Sequence, residues 1–343
     1  MPLQIRPADL VLDRAAIVDL CQRYLAPGSS ERRFQWLYQE SPHGRARAWL
    51  AFDTGTASVV GMAAAFARHI SFDGNLKSGW ILGDFCIDER FRSLGPALQL
   101  QRACLEATSA DPSSFCYDFP SQSMMSIYKR LGASPSGSLV RWAKPLRAVA
   151  RIEKLVGRKM LARAVGIPLE ALLARRGWKG DKNSANLELH VGQCGTEFDV
   201  LNHHVRAQSG IFTDRTHDYL NWRYLANPTT RYEILAARRA GSLVGYGVFS
   251  VHNGEGRVVD LCAIEGPGVI AWLLAGIVEQ IRSRQAATVS MNAGDSHPWA
   301  SIFERAGFRR REEAPVVAYP RENFFPASGR PRAWYLMQGE RDS

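Results

Sequence analysis

Cysteine chemistry is sparse in this chain of 343 residues: there is no C-x-x-C pair, and none of the six cysteines has a histidine at metal-site spacing. Cys21, Cys86, Cys104, Cys116, Cys194 and Cys262 stand singly, three of them inside apolar strand-like runs. That pattern excludes a disulfide framework and a zinc ribbon, and it predicts buried, reduced thiols and no metal. His203 and His204 are adjacent, so on a helix they point in different directions and cannot share one ion. They are expected at the surface. Long apolar runs are also missing, which argues against a membrane-spanning helix. Residues Met1 to Leu10 contain Arg6 and Asp9 and lack the apolar stretch of a secretory signal, so the expected location is cytoplasmic.

What is present is enough apolar residue, 46% of the chain, for two ordinary domains with cores of their own. The formal net charge of +10 is unevenly placed: between Lys144 and Lys182 there are eleven basic residues against three acidic ones. Within that stretch Ile152, Leu155, Val156, Met160, Leu161 and Val165 recur at helical spacing, with basic residues on other faces. A basic helical connector is expected over 147–185. Its 144–182 stretch either touches an anionic membrane surface or packs across two domains with its charges in water.

The chain repeats itself. Trp36, Tyr38 and Pro42 in "WLYQESP" share one offset with Trp222, Tyr224 and Pro228 in "WRYLANP", and each segment leads into two apolar strand-like runs around a glycine turn. Downstream, "GDFCI" and "VDLCAI" set Asp84 opposite Asp260, and "IYKRLGA" and "IFERAGF" set Gly132 opposite Gly307. Each half reads as an opening strand, two helices, three strands, a long helix, a strand, a shorter helix and closing strands. In the first half the central strands meet at "FDGN", where Gly74 and Asn75 suit a hairpin. The expected fold class is α/β, with two tandem domains over 1–146 and 186–343, each a mixed central sheet flanked by helices.

One turn carries chemistry. "DERFRSLGPALQL" follows the strand ending at Ile87 and opens a helix, so Arg92-Ser93-Leu94-Gly95-Pro96-Ala97 sits where a strand hands over to a helix. Backbone N–H groups there, with no bulky Cβ at Gly95 and Ala97 and with the positive charge of Arg92, suit a pyrophosphate. Pro96 removes one donor but fits a first helical turn.

This stretch resembles the R/Q-x-x-G-x-G/A acetyl-CoA loop of the GNAT superfamily, the Gcn5-related N-acetyltransferases. "SQSMMSIYKRLGA" is similar to a second segment of that superfamily, with Ser121 and Ala133 departing from its usual Asn and Phe. The tandem arrangement, "NWRYLANP" and the closing "WYLMQGERD" look like acetyltransferase-like proteins linked to surface polysaccharide synthesis. The resemblance implies acetyl-CoA as cosubstrate, held by Arg92 to Ala97 and by the backbone of Phe85, Cys86 and Ile87. It implies Tyr128 as general acid, while Asp84 is a base or a structural residue. It implies a small-molecule amine as acceptor, and no specific nucleic acid is expected.

The second half departs from the pattern. Glu265 replaces the basic character of the loop, and Phe303 stands where Tyr128 would, so this half is expected to be a degenerate partner. Three functions stay open: an N-acetyltransferase acting on an amino sugar or related amine, a FemAB-like aminoacyl-tRNA-dependent transferase, and a catalytically silent binding protein.

Overall fold

A computed structural model describes residues 3–25, 28–109, 114–147, 185–264, 266–320 and 333–341. The expected basic connector therefore lies almost wholly outside the described residues. Among those described, no helix is long and apolar enough to cross a membrane.

The amino-terminal half begins with β1 (Leu3–Pro7), α1 (Arg14–Tyr24) and α2 (Glu31–Phe34), which runs on into a π turn (Gln35–Gln39). Ser30 caps α2 by accepting from the Arg33 amide. Strands β2 (Arg47–Asp53), β3 (Ser58–Phe72) and β4 (Asn75–Ile87) follow, and the β3–β4 hairpin closes at Asp73 and Gly74 as the turn chemistry predicts. After a short 3-10 turn (Glu89–Phe91) come α3 (Leu94–Thr108), β5 (Cys116–Asp118), α4 (Gln122–Arg130) and β6 (Gly137–Pro145).

The carboxy-terminal half gives β7 (Asn186–Leu189), α5 (Thr196–Gln208), β8 (Ile211–Thr213) and α6 (His217–Leu220), again continued by a π turn (Asn221–Leu225). It continues with β9 (Glu233–Arg239), β10 (Ser242–His252), β11 (Glu255–Ala263), α7 (Gly266–Ser283), β12 (Thr288–Gly294), α8 (Ala300–Arg305) and β13 (Arg309–Tyr319). The two W-x-Y segments thus adopt the same helix-to-π-turn structure.

These strands form one mixed sheet in the order β1-β2-β3-β4-β5-β13-β6-β12-β11-β10-β9-β7, with β8 pairing β3 off that path. The closing strands have crossed over. β13 lies antiparallel beside β5, with Ala318 opposite Tyr117, while β6 lies antiparallel beside β12, with Trp142 opposite Met291. β13 and β6 also pair with each other. The halves are therefore joined through their own last strands. Helices cover both faces of the sheet, giving the mixed α/β architecture that the element order predicts.

Three apolar clusters hold the layers together. α3 and α4 pack Leu100, Cys104, Met124 and Tyr128 on one face of the first half, against Trp49, Ala65 and Leu82. On the other face α1, both π turns and the tail residues Trp334 and Leu336 share a core with Phe66, Tyr117 and Tyr246. α7 and α8 close the third, around Leu261 and Val289. All six cysteines are buried free thiols, and His203 and His204 are exposed, as expected.

Candidate active site

β4 and β5 are parallel neighbours for only two residue pairs, Trp80 with Cys116 and Ile81 with Tyr117. Beyond them the strands part. The gap opens into a cleft of about 520 Å³, lined from one face by Ala97 and Gln101 of α3 and by Met124 and Ile127 of α4. From the other face it is lined by Tyr24, Leu25, Phe66 and Arg341, and its floor carries Asp84 and Asp118. A crevice beyond the carboxyl ends of parallel strands is where α/β sheets place ligands.

At the α3 end stand the residues expected to hold a pyrophosphate. Of the residues expected to hold acetyl-CoA, Arg92, Ser93 and Ala97 line the cleft together with Phe85, Cys86 and Ile87, whereas Leu94, Gly95 and Pro96 are not in its lining. Ser93 is the N-cap of α3 but makes no side-chain capping bond, so the Leu94 and Gly95 amides have no partner inside the helix, whereas the Ala97 amide donates to the Ser93 carbonyl. Leu94 starts the helix one residue before Gly95. Nothing lies within 4 Å of where a Cβ on Gly95 would be, so the fold itself does not require glycine there. The Arg92 side chain is 61% exposed at the cleft mouth, 4.0 Å from Glu89. Asp88 stiffens the approach by accepting from the Arg90 amide (3.0 Å) and its side chain (3.1 Å), which holds its carboxyl well below the usual range.

Asp84 sits in a β-bulge: the β3–β4 register passes from Ala64 opposite Gly83 to Met62 opposite Cys86, leaving one extra residue on β4. Its φ of +44° is a left-handed conformation that non-glycine residues adopt rarely. Both carboxylate oxygens are occupied. Arg33 donates to each at 3.0 Å, and the Tyr38 hydroxyl donates to Oδ2 at 2.8 Å. The second half repeats this arrangement around Asp260, which accepts from Arg215 Nε (3.0 and 3.1 Å) and from the Tyr224 hydroxyl (3.1 Å). Trp36 and Tyr38 are buried and belong to the core, and Trp142 likewise packs edge-on against Phe303.

Tyr128 is fully buried and does not itself line the cleft. Its hydroxyl donates to Asp118 Oδ2 at 2.7 Å and accepts from Gln101 Nε2 at 2.9 Å, and both of those partners do line it. Burial raises the Tyr128 pKa well above the usual tyrosine range, and the neighbouring Asp118 adds to the effect. Asp118 is the residue the sequence reading missed. Burial pushes its carboxyl up to about 6, against the opposing hydrogen bonds from Tyr128 and the Phe119 amide and the nearby charge of Arg341. The Gly132/Gly307 offset places Ala293 opposite Asp118 and Phe303 opposite Tyr128, so the second half lacks both members of the pair.

β11 and β12 likewise pair only from Glu255/Thr288 to Val258/Met291 before parting. Here the chain's own tail lies against both strands. Met337 bridges to Ala293, the Gly294 amide donates to the Leu336 carbonyl, and a Cβ added to Gly339 would fall 3.1 Å from the Val259 carbonyl oxygen. Glu265 lies outside the described residues.

No protein-family model and no curated protein matches the sequence. Solved structures do match. A conserved protein from Enterococcus faecalis V583, described as a probable N-acyltransferase, is 12% identical with a TM-score of 0.67, over 93% of this chain and 72% of that one. A GCN5-related N-acetyltransferase from Anabaena variabilis is 14% identical with a TM-score of 0.66, over 92% and 72%. The N-myristoyltransferase of Saccharomyces cerevisiae with bound myristoyl-CoA is 10% identical with a TM-score of 0.57, over 93% and 80%. A large mixed sheet flanked by helices is the fold this chain shares with GCN5-related N-acetyltransferases of solved structure.

Proposed function

We propose that this chain is an acyl-CoA-dependent N-acyltransferase that moves an acetyl group from acetyl-CoA to the amine of a small molecule. The observation that carries the reading is the continuity of the cleft. It runs from Arg92, Ser93 and Ala97 at the start of α3, past the edge of β4, to the half-buried carboxylate of Asp118 between the parted strands. A pyrophosphate belongs at Arg92 to Ala97, where helix N-terminal amides and an arginine face it. The pantetheine arm extends along Phe85, Cys86 and Ile87, which sets the thioester in the gap. The amine arrives from the Tyr24, Phe66 and Arg341 side.

The chemistry then needs one proton moved. The nitrogen attacks the thioester carbon, a C–N bond forms, the C–S bond breaks, and the nitrogen's proton passes to Asp118 and on to the departing thiolate. A carboxylate with a pKa of about 6 is ionised at neutral pH yet basic enough for this relay. In this reading Tyr128 is a positioning residue, which with Gln101 fixes the Asp118 carboxylate, and Asp84 holds the β4 bulge through Arg33 and Tyr38. Placing both reactants in one gap supplies much of the rate enhancement.

Calorimetric titration with acetyl-CoA, followed by a thiol-release screen of amino sugars and other small amines, tests the proposal. Binding of one acetyl-CoA per chain and amine-dependent release of thiol are expected. Absence of binding overturns it and leaves the silent binding protein as the better reading.

A further inference from the structure

Arg341 stands on the acceptor side of the cleft without an ion-pair partner among the described residues. Asp84 and Arg33 saturate each other, and Asp118 is engaged by Tyr128. Among the described residues, none makes a hydrogen bond or an ion pair with the Arg341 guanidinium, although Arg341 lines the cleft and its charge acts on Asp118.

The backbone that delivers this arginine is heavily tied down. Arg223 donates to the carbonyls of Gly339 (2.7 Å) and Arg341, and the Arg341 amide returns to the Gln338 carbonyl at 3.0 Å. Glu340, 2% exposed, accepts from Arg215 at 2.8 Å and from Thr213. A Cβ on Gly339 would fall 2.0 Å from the Tyr224 hydroxyl oxygen, so the strap fits only as it lies. A fixed backbone that presents a guanidinium with no ion-pair partner among the described residues is a preorganised anion receptor. Its planar fork suits the paired oxygens of a carboxylate or a phosphate.

We propose that Arg341 binds a carboxylate or phosphate on the acceptor, so that the substrate is an anionic amine whose nitrogen reaches Asp118 while its anion rests on the tail. This rests on the acyltransferase reading for the identity of the bound molecule, and the test separates the two. Matched pairs of amines are compared by thiol release with acetyl-CoA at fixed ionic strength. Glucosamine 6-phosphate against glucosamine probes the phosphate source, and alanine against alaninamide probes the carboxylate source.

The wild type is expected to prefer the anionic member of at least one pair by roughly 10- to 100-fold in kcat/KM, the scale of a charge-assisted hydrogen-bonded pair. Because any change in the Asp118 pKa is common to both members, the readout is the ratio within each pair: Arg341→Gln should bring that ratio close to one, and Arg341→Lys should restore part of it. Equal use of both members by the wild type overturns the proposal, as does an anionic preference that survives in Arg341→Gln or a loss of acetyl-CoA affinity in that variant. If no amine is acetylated, the acyltransferase reading fails. Calorimetry with glucosamine 6-phosphate and alanine on the CoA-saturated protein then decides the anion site alone. Binding that Arg341→Gln removes sustains it, and no binding overturns it.

Discussion

Trp36 and Trp222 each donate the indole N–H to the other's backbone carbonyl, both at 2.7 Å, with the rings stacked 5.2 Å apart. The exchange is reciprocal, as in a contact across a two-fold axis, and it joins the matching π turns of the two halves. Replacing either tryptophan with phenylalanine deletes one bond and strands a buried carbonyl, at a cost of about 1–3 kcal/mol. Because the two bonds share one contact, the double variant should lose less than the two single losses added together. Urea unfolding of the two single variants and the double variant measures this.

The pKa of Asp118 links stability to pH. The native state binds this proton more tightly than the unfolded chain does, so its contribution is most favourable below the unfolded carboxylate range. It is lost as pH rises through about 6. Taking the unfolded value as 3.8, the cost of the ionised form at pH 7 is about 3 kcal/mol. Asp118→Asn should therefore raise stability at pH 7 and above, and little at pH 4, while turnover falls by roughly 10²-fold or more. Thermal unfolding across that pH range, beside a thiol-release assay, checks both effects.

Tyr128 and Arg341 both hold the Asp118 pKa down. Tyr128→Phe keeps the ring but removes the hydroxyl, so the acidic limb of the kcat/KM profile should move upward from about 6. A purely structural tyrosine would lower turnover without moving that limb, so the pH–rate profile of the variant distinguishes the two roles.

Gly95→Glu should abolish acetyl-CoA binding by setting bulk and negative charge at the phosphates. Because nothing lies within 4 Å of the missing Cβ, the melting temperature should hardly change. Calorimetry and thermal unfolding of the same sample give both results, and unchanged affinity would sink the loop assignment.

Arg33→Met leaves the Asp84 carboxylate, 6% exposed, without its charge partner. Stability should drop by about 3–5 kcal/mol, the scale for breaking a buried ion pair from one side. Asp84→Asn should restore part of the loss in the double variant, which denaturant titration can show.

Much of this was legible in the chain. Strand and helix order followed from apolar runs and turn residues, and the repeat of W-x-Y foretold that the two segments match, though not that each forms a π turn. The α3 turn could be read because Arg92, Gly95 and Ala97 lie within six residues. Asp118 was harder to find: it is one acid in "CYDFP", and its raised pKa comes from burial under α3 and α4, which no local pattern encodes. Its place at the end of a strand parallel to β4 was the available signal. Arg341 lies within the closing "WYLMQGERD" that carries part of the resemblance, but only the path of the tail brings it to the cleft. The crossing of β6 and β13 was equally hidden, since two strands of like pattern do not announce which neighbour each will choose.

That crossing has a consequence for synthesis on the ribosome. When β5 has emerged, the strand that will lie beside it, β13, is still almost two hundred residues from being made. At usual elongation rates this delay is on the order of ten seconds or more. Throughout it the nascent first half presents an open strand edge at β5, the kind of edge that templates association with other chains. The polypeptide must therefore mature late and as a whole, with its candidate catalytic half unfinished until the last strand arrives.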